Sequence, residues 1–105
     1  MNDSLTRLEA TVAARRGADP ASSYVAKLSA AGRAKIAQKV GEEAVETVIA
    51  AMAGDPAKLT SEAADLMFHL LILLADGGIT LADVAAELDQ REGVSGLTEK
   101  AARGE

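Results

Sequence analysis

The 105-residue sequence contains no cysteine, which excludes both a disulfide framework and a thiolate metal site and is compatible with a reducing compartment. Cations are in the minority as well: 11 Lys and Arg against 16 Asp and Glu leave a net charge of −5, so a surface that binds nucleic acid by neutralising phosphates is not expected. Aromatic residues are almost absent, with one tyrosine, Tyr24, and one phenylalanine, Phe68. If an aromatic ring stacks on a base, it is one of these two, and Phe68 sits in a run that reads as core. Nor does any stretch alternate apolar and polar residues as a half-buried strand requires; the β-branched residues are scattered singly among alanines and leucines. The start, Met1-Asn2-Asp3-Ser4, lacks the apolar core of a signal peptide, so a cytoplasmic location is the default expectation.

What remains is helix. An apolar content of 49% suffices for one core, and the chain reads as a single all-α domain over residues 1–105, with 92–105 as a polar, glycine-punctuated tail. Leu5, Leu8 and Val12 fall at helical spacing behind Asp3 or Ser4 as a cap, and Arg15-Arg16-Gly17 closes that helix by complementing its dipole. The two prolines, in Asp19-Pro20 and Asp55-Pro56, each follow a capping residue at the position where a helix tolerates proline best. They predict a short helix from Ala21 to Ala31 and a long one from Pro56 to Asp76, with another from Arg33 to about Ala53 between them. Thr80 and Asp83 form a capping-box pair for a last helix whose apolar stripe is Leu81, Val84, Ala85 and Leu88.

Two groups of acids stand out in this frame. Lys39, Glu42, Glu43 and Glu46 share one side of their helix, opposite Val45, Val48, Ile49 and Met52. In isolation that is an ordinary amphipathic helix with a solvated acidic face. Glu62 and Asp65, however, introduce Leu66-Met67-Phe68-His69-Leu70-Leu71-Ile72-Leu73-Leu74, which is apolar all round except for His69. This segment is too short for a bilayer, which takes about 20 residues, and is expected to be buried on every side, with Met52 and Met67 as core filler and a second subunit covering part of the bundle. Carboxylates at its entrance, with few basic residues nearby to pair them, call for a hard divalent cation. His69, one turn after Asp65, is a core histidine bonded to a carboxylate or a carbonyl, and in that way can orient Asp65. Lys39 either pairs with Glu43 one turn on or meets a phosphate oxygen.

The run Ile36-Ala37-Gln38-Lys39-Val40-Gly41-Glu42-Glu43-Ala44-Val45-Glu46, with Glu62-Ala63-Ala64-Asp65-Leu66 and His69, resembles the phosphoribosyl-ATP pyrophosphatases of histidine biosynthesis, a family of MazG-like all-α nucleoside triphosphate pyrophosphohydrolases. Ser23-Tyr24-Val25-Ala26-Lys27-Leu28 and Ser95-Gly96-Leu97-Thr98-Glu99-Lys100 extend the similarity over almost the whole chain; Val25 departs from the small hydroxyl residue expected there. The resemblance implies a helical bundle of about five helices completed by dimerisation. It further implies hydrolysis of phosphoribosyl-ATP between its α- and β-phosphates, giving phosphoribosyl-AMP and pyrophosphate. Carried over residue by residue, Glu43, Glu46, Glu62 and Asp65 are the Mg2+ ligands, and Glu42 is a further ligand or the group that orients the attacking water. Lys27, Arg33, Lys35 and Lys39 are candidates for the substrate phosphates, with Lys27 and Lys35 alternatively plain helix surface. Tyr24 is the candidate base or ribose contact. Two rival readings stand beside this one: a house-cleaning pyrophosphohydrolase with the same metal cage, and a non-catalytic helical interaction module.

Overall fold

Asp55 and Pro56 open the helix on which the molecule is built: the Asp55 carboxylate accepts the backbone N–H of Lys58 at 3.1 Å, and Pro56 occupies the first turn, where it has no intrahelical bond to lose. The computed structural model describes residues 3–92 and 103–104. It contains α1 (Asp3–Arg15), α2 (Tyr24–Ala31), α3 (Arg33–Ala53), α4 (Pro56–Asp76) and α5 (Leu81–Arg91), with no strand among the described residues. The all-α expectation holds. Most of the polar tail, including Ser95 to Lys100, lies outside the described residues.

The boundaries of α3, α4 and α5 fall where the sequence places them. Gly54, at φ 71°, and Gly32, at φ 99°, take backbone conformations that a residue with a Cβ rarely adopts, which is why α3 is bounded by glycine at both ends. At α5 both halves of the capping box form: the Asp83 N–H donates to Thr80 Oγ1 at 3.1 Å and the Thr80 N–H donates to Asp83 Oδ2 at 2.9 Å. Two starts differ from expectation. Asp19 accepts the Ala21 N–H at 2.9 Å and so forms a local turn, leaving Ser23, whose Oγ accepts the Ala26 N–H at 3.2 Å, as the true cap of a shorter α2. Ser4 lies inside α1, not ahead of it.

α3 and α4 make the most extensive helix pairing and α1 and α2 close one side of the pair. Val12, Val25, Leu28, Ile36, Leu71 and Ile72 form the core, Ile36 and Ile72 with no exposed surface at all. Val25 is therefore a packing residue. Within one chain α4 is not buried on every side: Met67 and Leu70 are exposed, and so are Val45, Val48, Ile49 and Met52 along α3. Within one chain Met52 and Met67 are accordingly not core filler. The reason is geometric, since a helical pair can bury only the stripes that face each other and the helices laid across one side, and the remaining apolar stripes stay uncovered within one chain. α5 repeats the pattern: Leu81 packs against the core, its backbone N–H donating to Glu9 Oε2 at 2.7 Å, but Leu88 is exposed.

Candidate metal and nucleotide site

The pairing of α3 with α4 brings Glu43 to Glu62 and Asp65, which follow it by 19 and 22 residues: one carboxylate oxygen from each lies within 4.8 Å of the other two. Asp65 is exposed, but Glu43 and Glu62 are each only 8% exposed. One oxygen of Glu43 is 3.9 Å from Lys39 Nζ, and one of Glu62 is 3.4 Å from Lys58 Nζ. The other, Oε2 in both residues, is buried without a hydrogen-bond partner. Burying an anionic oxygen with nothing to compensate it costs several kcal/mol, and like charges this close repel. An oxygen-only donor set of this kind fits a hard divalent cation. The metal that the resemblance implies therefore has a site whose unmet polar atoms it would satisfy.

A hydroxyl fixes the register of the two helices at this point. Thr47 Oγ1 donates to the Glu43 carbonyl at 2.7 Å and lies 3.3 Å from the Glu62 carbonyl on α4, so one side chain bridges the backbones of both buried acids. His69, 6% exposed, does the same for Asp65, its Nδ1 lying 2.7 Å from the Asp65 carbonyl oxygen. Because a carbonyl only accepts, Nδ1 carries a proton; in the Nδ1–H tautomer Nε2 accepts the Tyr24 hydroxyl at 2.7 Å. His69 thus bonds to the backbone of Asp65, not to its carboxylate.

Glu46 stands one turn along α3 from Glu43, exposed and outside the tight trio, in a shallow groove of about 250 Å³ that it shares with Asp55, Lys58 and Glu62. Glu42 is also exposed. It accepts from Gln38 Nε2 at 2.9 Å and pairs with Lys39 at 3.2 Å. These contacts, the Gln38 hydrogen bond first, hold its carboxyl below the ordinary carboxylate range, and the bond to Glu42 raises Lys39 above the usual lysine value. A second groove, of about 280 Å³, runs between α2 and α3, with Tyr24, Lys27 and Leu28 on one wall and Lys35, Lys39 and Glu42 on the other. Three of the four basic candidates thus share one groove. Arg33 does not: its Nε donates to Asp76 Oδ2 at 2.7 Å and its Nη2 to the Asp76 carbonyl at 3.0 Å, tying the start of α3 to the end of α4.

Over residues 5–92 the chain matches the sequence profile of the phosphoribosyl-ATP pyrophosphohydrolase family. A protein of Rhizorhabdus wittichii called phosphoribosyl-ATP pyrophosphatase is 68% identical over 103 residues, covering 98% of this chain and 97% of its own. One of the same name from Erythrobacter litoralis is 63% identical, covering 98% and 99%, and one from Novosphingobium aromaticivorans is 64% identical, covering 94% and 92%. The chain belongs to the phosphoribosyl-ATP pyrophosphohydrolase family.

The part matched to the family profile contains α2 to α5 and all but the first two residues of α1, and with them the acidic trio, the lysine groove and the Tyr24–His69 pair. Three residues around this candidate site in the phosphoribosyl-ATP pyrophosphohydrolase chain are not singled out by its sequence. Lys58 compensates Glu62 from one turn earlier, Thr47 sits one turn after Glu43, and Gln38 one turn before Glu42. Their common signal is the i,i+4 spacing from a functional acid. The expectation that too few basic residues lie near Glu62 and Asp65 to pair them is corrected at Lys58, which reaches Glu62 along the same helix face.

Proposed function

We propose that this protein hydrolyses phosphoribosyl-ATP between its α- and β-phosphates, releasing phosphoribosyl-AMP and pyrophosphate, as a Mg2+-dependent enzyme of histidine biosynthesis. The observation that carries this reading is the pair of buried, unpartnered oxygens on Glu43 and Glu62 beside the carboxylate of Asp65. Those three residues would hold the ion, with Glu46 at the rim as a further carboxylate within reach. Mg2+ bound there supplies neutralisation of the phosphate oxygens, which is most of what phosphoryl transfer requires.

The chain's own side chains do the rest. Glu42, kept ionised by Gln38 and Lys39, is a poor proton acceptor but a good hydrogen-bond acceptor, which suits it to orienting the attacking water. Lys39, between Glu42 and Glu43, is placed to exchange a carboxylate for a phosphate oxygen. Tyr24, its proton engaged by His69, offers its oxygen as an acceptor for a ribose hydroxyl. Homodimerisation belongs to the same proposal, because it would cover Val45, Val48, Ile49 and Met52 on α3 with Met67 and Leu70 on α4, side chains that an isolated chain leaves in water. No single helix among the described residues is long and apolar enough to cross a membrane. The biosynthetic role proposed here is what supports assigning the enzyme to the cytoplasm.

The test is pyrophosphate release from phosphoribosyl-ATP, ATP and dUTP, each with and without Mg2+. Release from phosphoribosyl-ATP that requires Mg2+, with little from the other two, is the expected result. Preference for ATP or dUTP would move the assignment to a general house-cleaning pyrophosphohydrolase, and no hydrolysis of any of them would leave a non-catalytic helical module.

A further inference from the structure

The lysine groove contains more positive charge than its surroundings use. Lys39, Lys58, Arg16, Arg33 and Arg91 each pair with a carboxylate, whereas Lys27 and Lys35 have no ion-pair partner among the described residues, in a chain whose acids outnumber its bases. Both of these lysines line the same groove, facing each other from α2 and α3. Lys35, Lys39 and Glu43 follow one another along one stripe of α3, so Lys35 stands about 12 Å along the helix axis from the acidic trio, eight residues at 1.5 Å each. The opposite wall is anchored to the same trio through Tyr24, His69 and the Asp65 carbonyl.

Phosphoribosyl-ATP has two anionic ends, a triphosphate and the 5-phosphate of its second ribose, with a purine and two sugars between them. We propose that Lys27 and Lys35 bind that 5-phosphate, and that this contact is what separates phosphoribosyl-ATP from ATP. The proposal rests on the reading of the acidic trio as the triphosphate end of the same site. With the triphosphate at Glu43, Glu62 and Asp65, the second ribose reaches past Tyr24 and Lys39 into the groove, where its phosphate meets two lysines with no carboxylate at ion-pairing distance, Glu42 acting on Lys35 only from farther along the same wall. ATP has nothing to place there.

The experiment compares kcat/KM, with Mg2+, for phosphoribosyl-ATP and for N1-ribosyl-ATP, which lacks only the 5-phosphate. The wild-type enzyme is expected to prefer the phosphorylated substrate by tenfold or more, a Lys27→Gln/Lys35→Gln double variant to lose most of that preference, and a Lys27→Arg/Lys35→Arg variant to retain it. A double variant that loses activity on both substrates in equal proportion, or keeps the wild-type preference, overturns the subsite while leaving the hydrolysis reading intact. Failure of the wild-type enzyme to hydrolyse phosphoribosyl-ATP overturns both. Should the glutamine variant not fold, titration of the metal-free wild-type protein with ribose 5-phosphate decides: saturable NMR shifts at Lys27, Lys35 and Tyr24 that ribose does not produce support the subsite, and their absence refutes it.

Discussion

Replacing Glu62 with glutamine should make the metal-free protein more stable while removing its response to Mg2+. Glu43 and Glu62 are both buried and their carboxylate oxygens lie within 4.8 Å of each other. At an effective dielectric of about 20, two unit charges at that separation repel by about 3.5 kcal/mol. Lys58 returns part of this to Glu62, but its side chain is 63% exposed, and a pair of that kind contributes at most ~1 kcal/mol. Glutamine keeps the shape and removes the charge, so the variant should gain roughly 1–2.5 kcal/mol in EDTA, which for a domain of this size corresponds to a rise in Tm of at least ~4 °C. Wild-type protein should gain about 2.7 kcal/mol when Mg2+ is present at a hundred times its Kd, and the variant almost none. Thermal unfolding followed by circular dichroism, with EDTA and then with MgCl2, measures both. A variant less stable than wild type in EDTA, or one that keeps the full Mg2+ shift, would refute the picture of a repulsive carboxylate pair relieved by a cation.

Other consequences are equally open to measurement. Thr47→Val keeps the volume and removes the hydroxyl that bridges the Glu43 and Glu62 carbonyls, so it should cost about 0.5–1.5 kcal/mol in urea unfolding and weaken Mg2+ binding measured by calorimetry; unchanged Mg2+ affinity would reduce Thr47 to a packing residue. Ile72→Ala empties a fully buried position and should destabilise by about 2–5 kcal/mol, whereas Met52→Ala in the same titration should cost far less to an isolated chain, since Met52 is 84% exposed. The Glu42 carboxyl, lowered by Gln38 and Lys39 from its ordinary 4.5, contributes stability that is present above that pH and lost as pH falls through the lower folded-state value. NMR titration should find its midpoint below that of an exposed glutamate, moving back up in Gln38→Ala; a midpoint at or above the ordinary value contradicts the contacts described for it.

Much of this molecule is written locally in its sequence. Asp55-Pro56, the Thr80–Asp83 pair and the glycines at residues 32 and 54 act within a few residues of themselves, so the limits of α3, α4 and α5 can be read without knowing what they pack against. Asp19-Pro20 shows the limit of such reading, because the same dipeptide that starts α4 makes only a turn here and hands the cap to Ser23. The acidic site is legible in part for the same reason: Glu62 and Asp65 share a helix face by spacing alone. Their meeting with Glu43 depends on how α3 lies against α4, and that register is set by contacts such as Thr47 that no pattern of charges announces. Arg33 and the apolar stripes required knowledge of tertiary neighbours. Asp76, 43 residues away, claims the arginine, and the direction each stripe faces decides whether Met52 and Met67 are covered within one chain.

The central claim is that a divalent cation sits among Glu43, Glu62 and Asp65. Crystals of the protein soaked in MnCl2, with data collected for the anomalous signal of manganese, test it most directly. The account predicts a peak coordinated by carboxylate oxygens of all three residues, including the two that are buried without a partner. A protein that binds Mn2+ elsewhere, or leaves these oxygens without a cation at saturating Mn2+, would contradict it.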